Sequence, residues 1–381
     1  MNGKSNLKVS IVPNGKTLLK SLTIAFYIVC LSVCPLARSG DGQVQQPENQ
    51  KIDISVDPRV ELMGIVFRLA GNPEFNDGTL RPYVNAIERH LGDFDNHPVV
   101  KMAAELRLKR SMSCDGPMSL AVHIDRDYRL RKTSEQWPSN LDSRWHKHET
   151  AEFLQKLRQF AAETKFDEFF RAQGGIYEEG MRSCREVMAP LNLSDWLVEF
   201  FGVKDCGQLK LVLGFVNGFS NYGVRFTTDQ IAEKYAIVGM RPFDPANTVI
   251  FRPMQIGTTV HEFCHSFANP VVEKHLEQLR PAGERLFAAH ESTMRMMGYQ
   301  KADSILYETA VRACVMCFVR EKLEPMYLGY FLEYEVKAGF DWIEDAGNFL
   351  NNYEDNRDPY PTFESFFPEF VDFLNDYAAK S

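Results

Sequence analysis

The segment Val260-His261-Glu262-Phe263-Cys264-His265 sets two histidines four residues apart, with a glutamate directly after the first. On an α-helix, residues four apart lie one turn above each other on the same face, so both imidazoles can reach a single point. Zinc takes such a pair, needs a third protein ligand, and in a catalytic site leaves a fourth position for water. Glu262 stands about a hundred degrees round the helix from His261, where it can accept a proton from that water. The pattern predicts a Zn2+ site with His261 and His265 as ligands and Glu262 as general base.

The same segment shows how such a helix would be held. Val260, Phe263, Cys264 and Phe267 fall at i, i+3, i+4 and i+7, an apolar stripe that buries one side and leaves His261, His265 and Ala268 beside it. An anchored helix with both histidines toward a common cavity is what a rigid metal site requires. The competing reading is a solvated or internally satisfied pair of histidines on an ordinary helix.

The third ligand must come from elsewhere. The longer pattern H-E-x-x-H-x-x-G-x-x-H needs glycine and histidine where this chain has Ala268 and Val271, which excludes an all-histidine set. A carboxylate from a later helix is then required. Glu308, in "LYETAVRACV", sits among Leu306, Tyr307, Ala310 and Val311. An acid in so apolar a helix must be paired or bind something. Arg312, one turn on, can pair with it and also orient it toward a metal. The rival is Glu291, in "AAHESTM", amid polar and small residues typical of a helix surface.

The elements that must position these residues follow from the whole chain. Its 381 residues are 44% hydrophobic and 12% aromatic, enough for one large core or two modest ones. Residues 1–37 read as a secretory signal peptide: Lys4, Lys8, Lys16 and Lys20 with no acid, then the apolar run "SLTIAFYIVCLSVCPLA", with cleavage after Ala37 or Ser39. The run is short for a membrane span and carries Pro35. Cys34 offers a lipid-attachment alternative, against which Val33 counts. Removing residues 1–37 shifts the net charge from −8 to −12. An exported chain that acidic is a poor partner for nucleic acid or anionic membranes. The six remaining cysteines are too sparse for a disulfide scaffold. Cys314 and Cys317 lack a second pair and lie in an apolar helical pattern, as core thiols do.

Residues 38–51 form a polar leader without periodicity, and the globular reading begins near residue 52. "KIDISV" and "SLAVHI" read as strands; "RVELMGIVFRLAG", "YVNAIERHLG" and "VVKMAAELRLKR" read as helices. Residues 149–173 read as one long helix with a stripe of Phe153, Leu154, Leu157, Phe160 and Ala161. This gives a mainly helical part at 52–200 and a metal-binding part at 201–381, either separate or integrated as one domain. The second part has β-rich runs at 208–218 and 234–240, separated by "FSNYGVRF". "DPANTVIF" then reads as a turn and an extended segment before the histidine helix. More helices follow, with turns at "PAGE" and "NNYEDNRDPYPT". The predicted fold is α+β, mostly helical, with a small mixed sheet beside the H-E-x-x-H helix.

"HEFCH" with "SFANP", preceded by "SNYG" and "YAIVG" and followed by "YETAVRA" and "NRDPYPTFESFFPEF", resembles an uncharacterised family of exported bacterial proteins, a domain of unknown function with a zincin-like core. The resemblance spans roughly residues 52–375. A zincin core of the glutamate-ligand type implies metallopeptidase activity, with His261, His265 and Glu308 matching the ligands and Glu262 the base. Such folds also set the edge strand of a small sheet beside the zinc, where an extended substrate can add as a further strand. "LKLVLGFVNG", or its neighbour near Asn221 and Tyr222, is the expected edge. Tyr360, in "RDPYPTF", is matched by the resemblance and lies in a polar loop after the core helices. It is the first candidate for a donor to the oxyanion, with Tyr222 and Arg312 behind it.

The expected function is an exported zinc-dependent hydrolase, most simply a peptidase acting on a peptide or protein substrate, with no membrane span in the mature chain. The alternatives are a binding or scaffold protein that keeps zinc for structure, and a zinc hydrolase of non-peptide amide bonds.

Overall fold

A computed structural model of the chain describes residues 52–380 apart from 134 and 136. The expected signal peptide at 1–37, the leader at 38–51 and Cys34 lie outside the described residues. The first half is helical: α1 (Pro58–Leu69), α2 (Arg81–Leu91), α3 (Pro98–Arg110), α4 (Asp115–His123), α5 (Lys147–Glu163), α6 (Phe166–Ala172), α7 (Gly174–Met188) and α8 (Leu193–Phe201). Asp57 caps α1, its carboxylate accepting the Arg59 N–H at 2.8 Å, with Pro58 supplying a preset φ at the first helical position.

Two expectations fail here for local reasons. "SLAVHI" lies largely within α4, with Met118, Leu120, Ala121 and Val122 all buried; only Ile124 makes a β-bridge, to Leu130. A short apolar run does not distinguish a buried helix from a strand. The long helix at 149–173 breaks at Lys165, whose φ of 48° is left-handed, so the chain turns between α5 and α6. Phe153, Leu154, Leu157 and Phe160 are buried as a stripe, and Ala161 is half-buried.

The sheet has four strands in the order β1-β2-β4-β3, formed by β1 (Asp53–Ser55), β2 (Gln208–Gly214), β3 (Asn221–Thr227) and β4 (Ala232–Gly239). β1 and β4 run parallel to β2, and β3 is antiparallel to β4, with Gly223 opposite Ala236. β2 is therefore interior. "FSNYGVRF", which separated two strands in the sequence reading, itself carries the edge strand. β1 pairs with β2 across the expected boundary at residues 200/201, and the chain from Glu48 to Ser381 is one compact unit.

After the sheet come α9 (Gln255–Ala289), α10 (Glu291–Met296), α11 (Ala302–Lys322), α12 (Pro325–Lys337), α13 (Ile343–Phe349), α14 (Asn351–Asp355) and α15 (Phe363–Lys380). α9 runs for 35 residues through Pro270 and Pro281, so "PAGE" is helical and not a turn. "DPANTVIF" contains neither strand nor helix. The stripe of Val260, Phe263, Cys264 and Phe267 is buried, as are Cys314 and Cys317 on α11. α9 packs against α11, α15, β3 and β4, which fixes its orientation from several sides. The protein is thus mostly helical α+β with a small mixed sheet. Among the described residues no helix is long and apolar enough to cross a membrane.

Candidate metal centre

The start of α9 and the first turns of α11 bring three donors together. The Nε2 atoms of His261 and His265 are 3.0 Å apart. His261 Nε2 lies 3.4 Å from Glu308 Oε2, and His265 Nε2 lies 3.6 Å from Glu308 Oε1. Zinc bonds of about 2.0–2.2 Å in tetrahedral geometry separate neighbouring ligand atoms by roughly 3.3 Å. The observed separations, two of them to different Glu308 oxygens, lie near that edge length, so the three residues could hold one small metal ion. His265 Nδ1 faces Asn269 Oδ1 at 3.2 Å, which places its proton there and leaves Nε2 with its lone pair.

The three side chains keep 18%, 17% and 14% of their surface, enough for a narrow opening to solvent. Burial lowers the His261 pKa to about 3, with Glu308 opposing and His265 and Arg312 adding to the fall. The imidazole is therefore neutral, the form that binds metal. Burial would raise Glu308, but His261, Arg312 and His265 hold its carboxyl down to about 2. With His261 neutral, Arg312 is the counter-charge that persists.

Arg312 is the hub of the surrounding shell. Its Nε donates to Glu308 Oε2 at 3.1 Å and its Nη2 to the Tyr299 hydroxyl at 3.1 Å, while Nη1 bonds the buried Glu335 of α12. Its guanidinium also lies 4.2 Å from the Phe340 ring centroid. The Tyr299 hydroxyl faces Glu308 as well. A ligating carboxylate held this way is oriented before a metal arrives. Tyr299 and Glu335 escaped sequence reasoning. Glu335 had a signal, since it is an acid within the apolar run "PMYLGYFLEYEV".

Glu262 is buried, with 7% of its surface left. Burial, with Glu308 adding to it, raises its pKa to about 8, and the backbone N–H of Gly223, which faces it, pulls the other way. Gly223 lies on the edge strand β3. A Cβ there would come within 2.4 Å of the Glu262 carbonyl oxygen, so only glycine lets the strand lie this close to α9.

The remaining expectations divide. Arg312 is at the site. Glu291 is not: it pairs with Arg295 on the surface of α10 at 2.8 Å. Tyr222 belongs to the face of β3 opposite Gly223, its ring packed against Phe75. The expectation for Tyr360 is corrected. Its hydroxyl donates to Glu369 Oε1 on α15 at 3.2 Å and its ring meets the edge of Phe366, because the "RDPYPT" loop folds onto α15. A surface hollow beside Phe349, Phe373 and Tyr377 of α13 and α15 likewise contains none of the metal-facing residues.

Fold and site together define a mostly helical α+β protein whose longest helix, with the helix packed on it, presents a His/His/Glu set able to take one metal ion. Over residues 52–373 the chain matches the family described as domain of unknown function DUF4932, and it belongs to that family. No curated protein and no solved structure matches it.

Proposed function

We propose that this is an exported zinc-dependent hydrolase, most simply a peptidase with a zincin-like, glutamate-ligand site. The observation that carries the reading is the convergence of His261, His265 and Glu308 beside a buried carboxylate, Glu262. Zinc held by His261, His265 and Glu308 would supply a Lewis acid that polarises the carbonyl and lowers the pKa of water.

The protein's own residues supply the rest. In this reading Glu262, as its carboxylate, accepts the proton of the attacking water and passes it to the leaving amine, and the positive charge of a bound metal would favour that ionised form. Arg312 and Tyr299 keep Glu308 in register with the two histidines. Among the described residues the outer side of β3 pairs with no strand, and Gly223 sets that edge against Glu262. An extended peptide adding there would bring its backbone beside the base. A structural zinc site would be closed by four protein ligands; three donors converge here among the described residues, and they remain partly open.

The test is Glu262→Gln in the zinc-loaded protein, assayed on a quenched-fluorescent peptide library. Zinc should remain at one equivalent by metal analysis, while hydrolysis falls by about a hundred- to ten-thousand-fold, the span expected for loss of a general base. Hydrolysis at the wild-type rate by this variant would dismiss the assigned role.

A further inference from the structure

Beyond the end of β4 the chain continues Met240-Arg241-Pro242-Phe243. Arg241 is half-buried between two aromatic rings, its guanidinium carbon 5.5 Å from the Phe219 centroid and 5.1 Å from that of Phe243. Several other half-buried or buried arginines are neutralised, Arg59 by Asp57, Arg131 by Glu233, Arg312 by Glu335 and Arg320 by Glu354, while Arg158 and Arg357 donate to backbone carbonyls. Among the described residues no carboxylate pairs with Arg241, and burial lowers its pKa with only the Tyr334 phenol opposing. Arg252 also lies over Phe243, at 5.3 Å; its nearest carboxylate, Asp244, is 3.8 Å away and its Nε is buried without a partner. Two guanidinium groups thus share the Phe243 ring, and only Arg252 has an acid near it. Partial desolvation of a cation is costly unless an anion compensates it. Rings this close to Arg241 are not hydrogen-bond acceptors of the kind a carboxylate is, and its planar fork of N–H donors is the geometry that matches one.

This cation follows the strand end that meets the start of α9. Gly239, the last residue of β4, accepts a hydrogen bond from Gln255, the first residue of α9, at 3.2 Å. Gln255 is six residues, about 9 Å along the helix, ahead of His261. Tyr334 of α12 stands between the two groups. Burial raises its phenol, which also senses Arg312, Glu335 and Glu308 on one side and Arg241 on the other. Phe219, one of the two rings beside Arg241, is 39% exposed, so the surroundings of this cation reach solvent.

We propose that Arg241 binds a carboxylate of the substrate, so that the protein selects peptides bearing a negative charge. The charge is either a free carboxyl terminus or an Asp or Glu side chain. This assignment rests on the hydrolase reading above for its substrate class, and on the unpaired guanidinium for its chemistry.

The experiment uses the full chain carrying Glu262→Gln, loaded with zinc, and fluorescein-labelled hexapeptides read by anisotropy. One pair differs only in a free or amidated carboxyl terminus, and a second pair, amidated throughout, differs only in Glu or Gln beyond the central bond. In at least one pair the charged member should bind about tenfold or more tighter, the range of a charge-assisted hydrogen bond. Adding Arg241→Gln should bring that ratio to within about twofold of one, and Arg241→Lys should restore part of it. The pair that shows the preference identifies the source of the carboxylate. Equal binding within both pairs, no binding of either charged peptide, or a ratio that survives Arg241→Gln would overturn the assignment. Hydrolysis by the protein with Glu262 intact separates the two readings. Charge-selective binding without cleavage removes the hydrolase and keeps Arg241; cleavage without charge selection does the reverse.

Discussion

Arg312 and Glu335 form a buried ion pair between α11 and α12, and the same guanidinium bonds the metal-facing Glu308. Glu335 is the one buried residue of α12, a helix whose other side chains are half-buried or exposed, so this glutamate is the pin of that helix. Glu335→Gln leaves Arg312 a neutral partner and loosens Glu308. Zinc affinity should fall by about 10- to 100-fold, as losses behind a ligand typically do. Glu335→Ala should also cost roughly 3–5 kcal/mol of stability, because it strands a buried cation. Chelator-competition titration and urea melts measure the two effects, and an affinity unchanged within twofold would rule out the positioning role.

The ligand set makes a sharper prediction. His265→Ala and Glu308→Ala should each abolish the stoichiometric binding of one zinc per chain. Glu291→Ala should leave it intact, since a surface pair such as Glu291–Arg295 is worth less than about 1 kcal/mol. Metal analysis after dialysis decides; a zinc lost with Glu291 and kept without Glu308 would reverse the assignment.

Gly223 sets the spacing between β3 and α9. Gly223→Ala places a methyl 2.4 Å from the Glu262 carbonyl oxygen and 3.2 Å from the His265 Cβ, so the strand must retreat. Overpacking of this kind costs about 1–3 kcal/mol. The displaced strand should lower hydrolysis much more than it lowers zinc content. Equal losses of both would point to general unfolding.

The core of this site was readable from spacing alone because its chemistry is local. His261, Glu262 and His265 share one turn and a half of helix, and their apolar companions announced which side is buried. Glu308 was readable because an acid stood out in an apolar helix. Tyr299 and Glu335 were not, since each reaches Arg312 through tertiary packing, from the turn before α11 or from α12. Tyr360 misled because a polar loop suggested a cleft, whereas its ring found Phe366 instead. "PAGE" misled because Pro281 is tolerated within α9, where packing against α11 and α15 outweighs a lost hydrogen bond.

Glu61 gives a pH dependence unconnected with metal. It is fully buried; its carboxylate accepts from the Tyr83 hydroxyl at 2.6 Å and the Phe215 N–H at 2.8 Å, and burial raises its pKa from an ordinary 4.5 to about 7. Below pH 4.5 both folded and unfolded chains hold the proton, and its stabilising contribution is complete. As pH rises from 4.5 toward 7 the unfolded chain ionises first, and stability falls by up to about 3 kcal/mol, then levels off. Glu61→Gln should flatten that slope and leave the variant the more stable protein at pH 8. Urea titrations of both proteins from pH 4 to pH 8 test this; parallel curves would exclude Glu61 as the source.

The pairing of β1 with β2 carries a consequence for how the molecule comes into being. Asp53 and Lys210, neighbours across that ladder, are 157 residues apart in the chain. Loop closure over that distance is slow and must precede the reward of the contact. The N-terminal helices can therefore form early, while the sheet that seats Gly223 against Glu262 waits for the second half of the polypeptide. Until then the outer residues of a half-built sheet are open to the wrong neighbour, and a nascent chain is at its most dependent on chaperones.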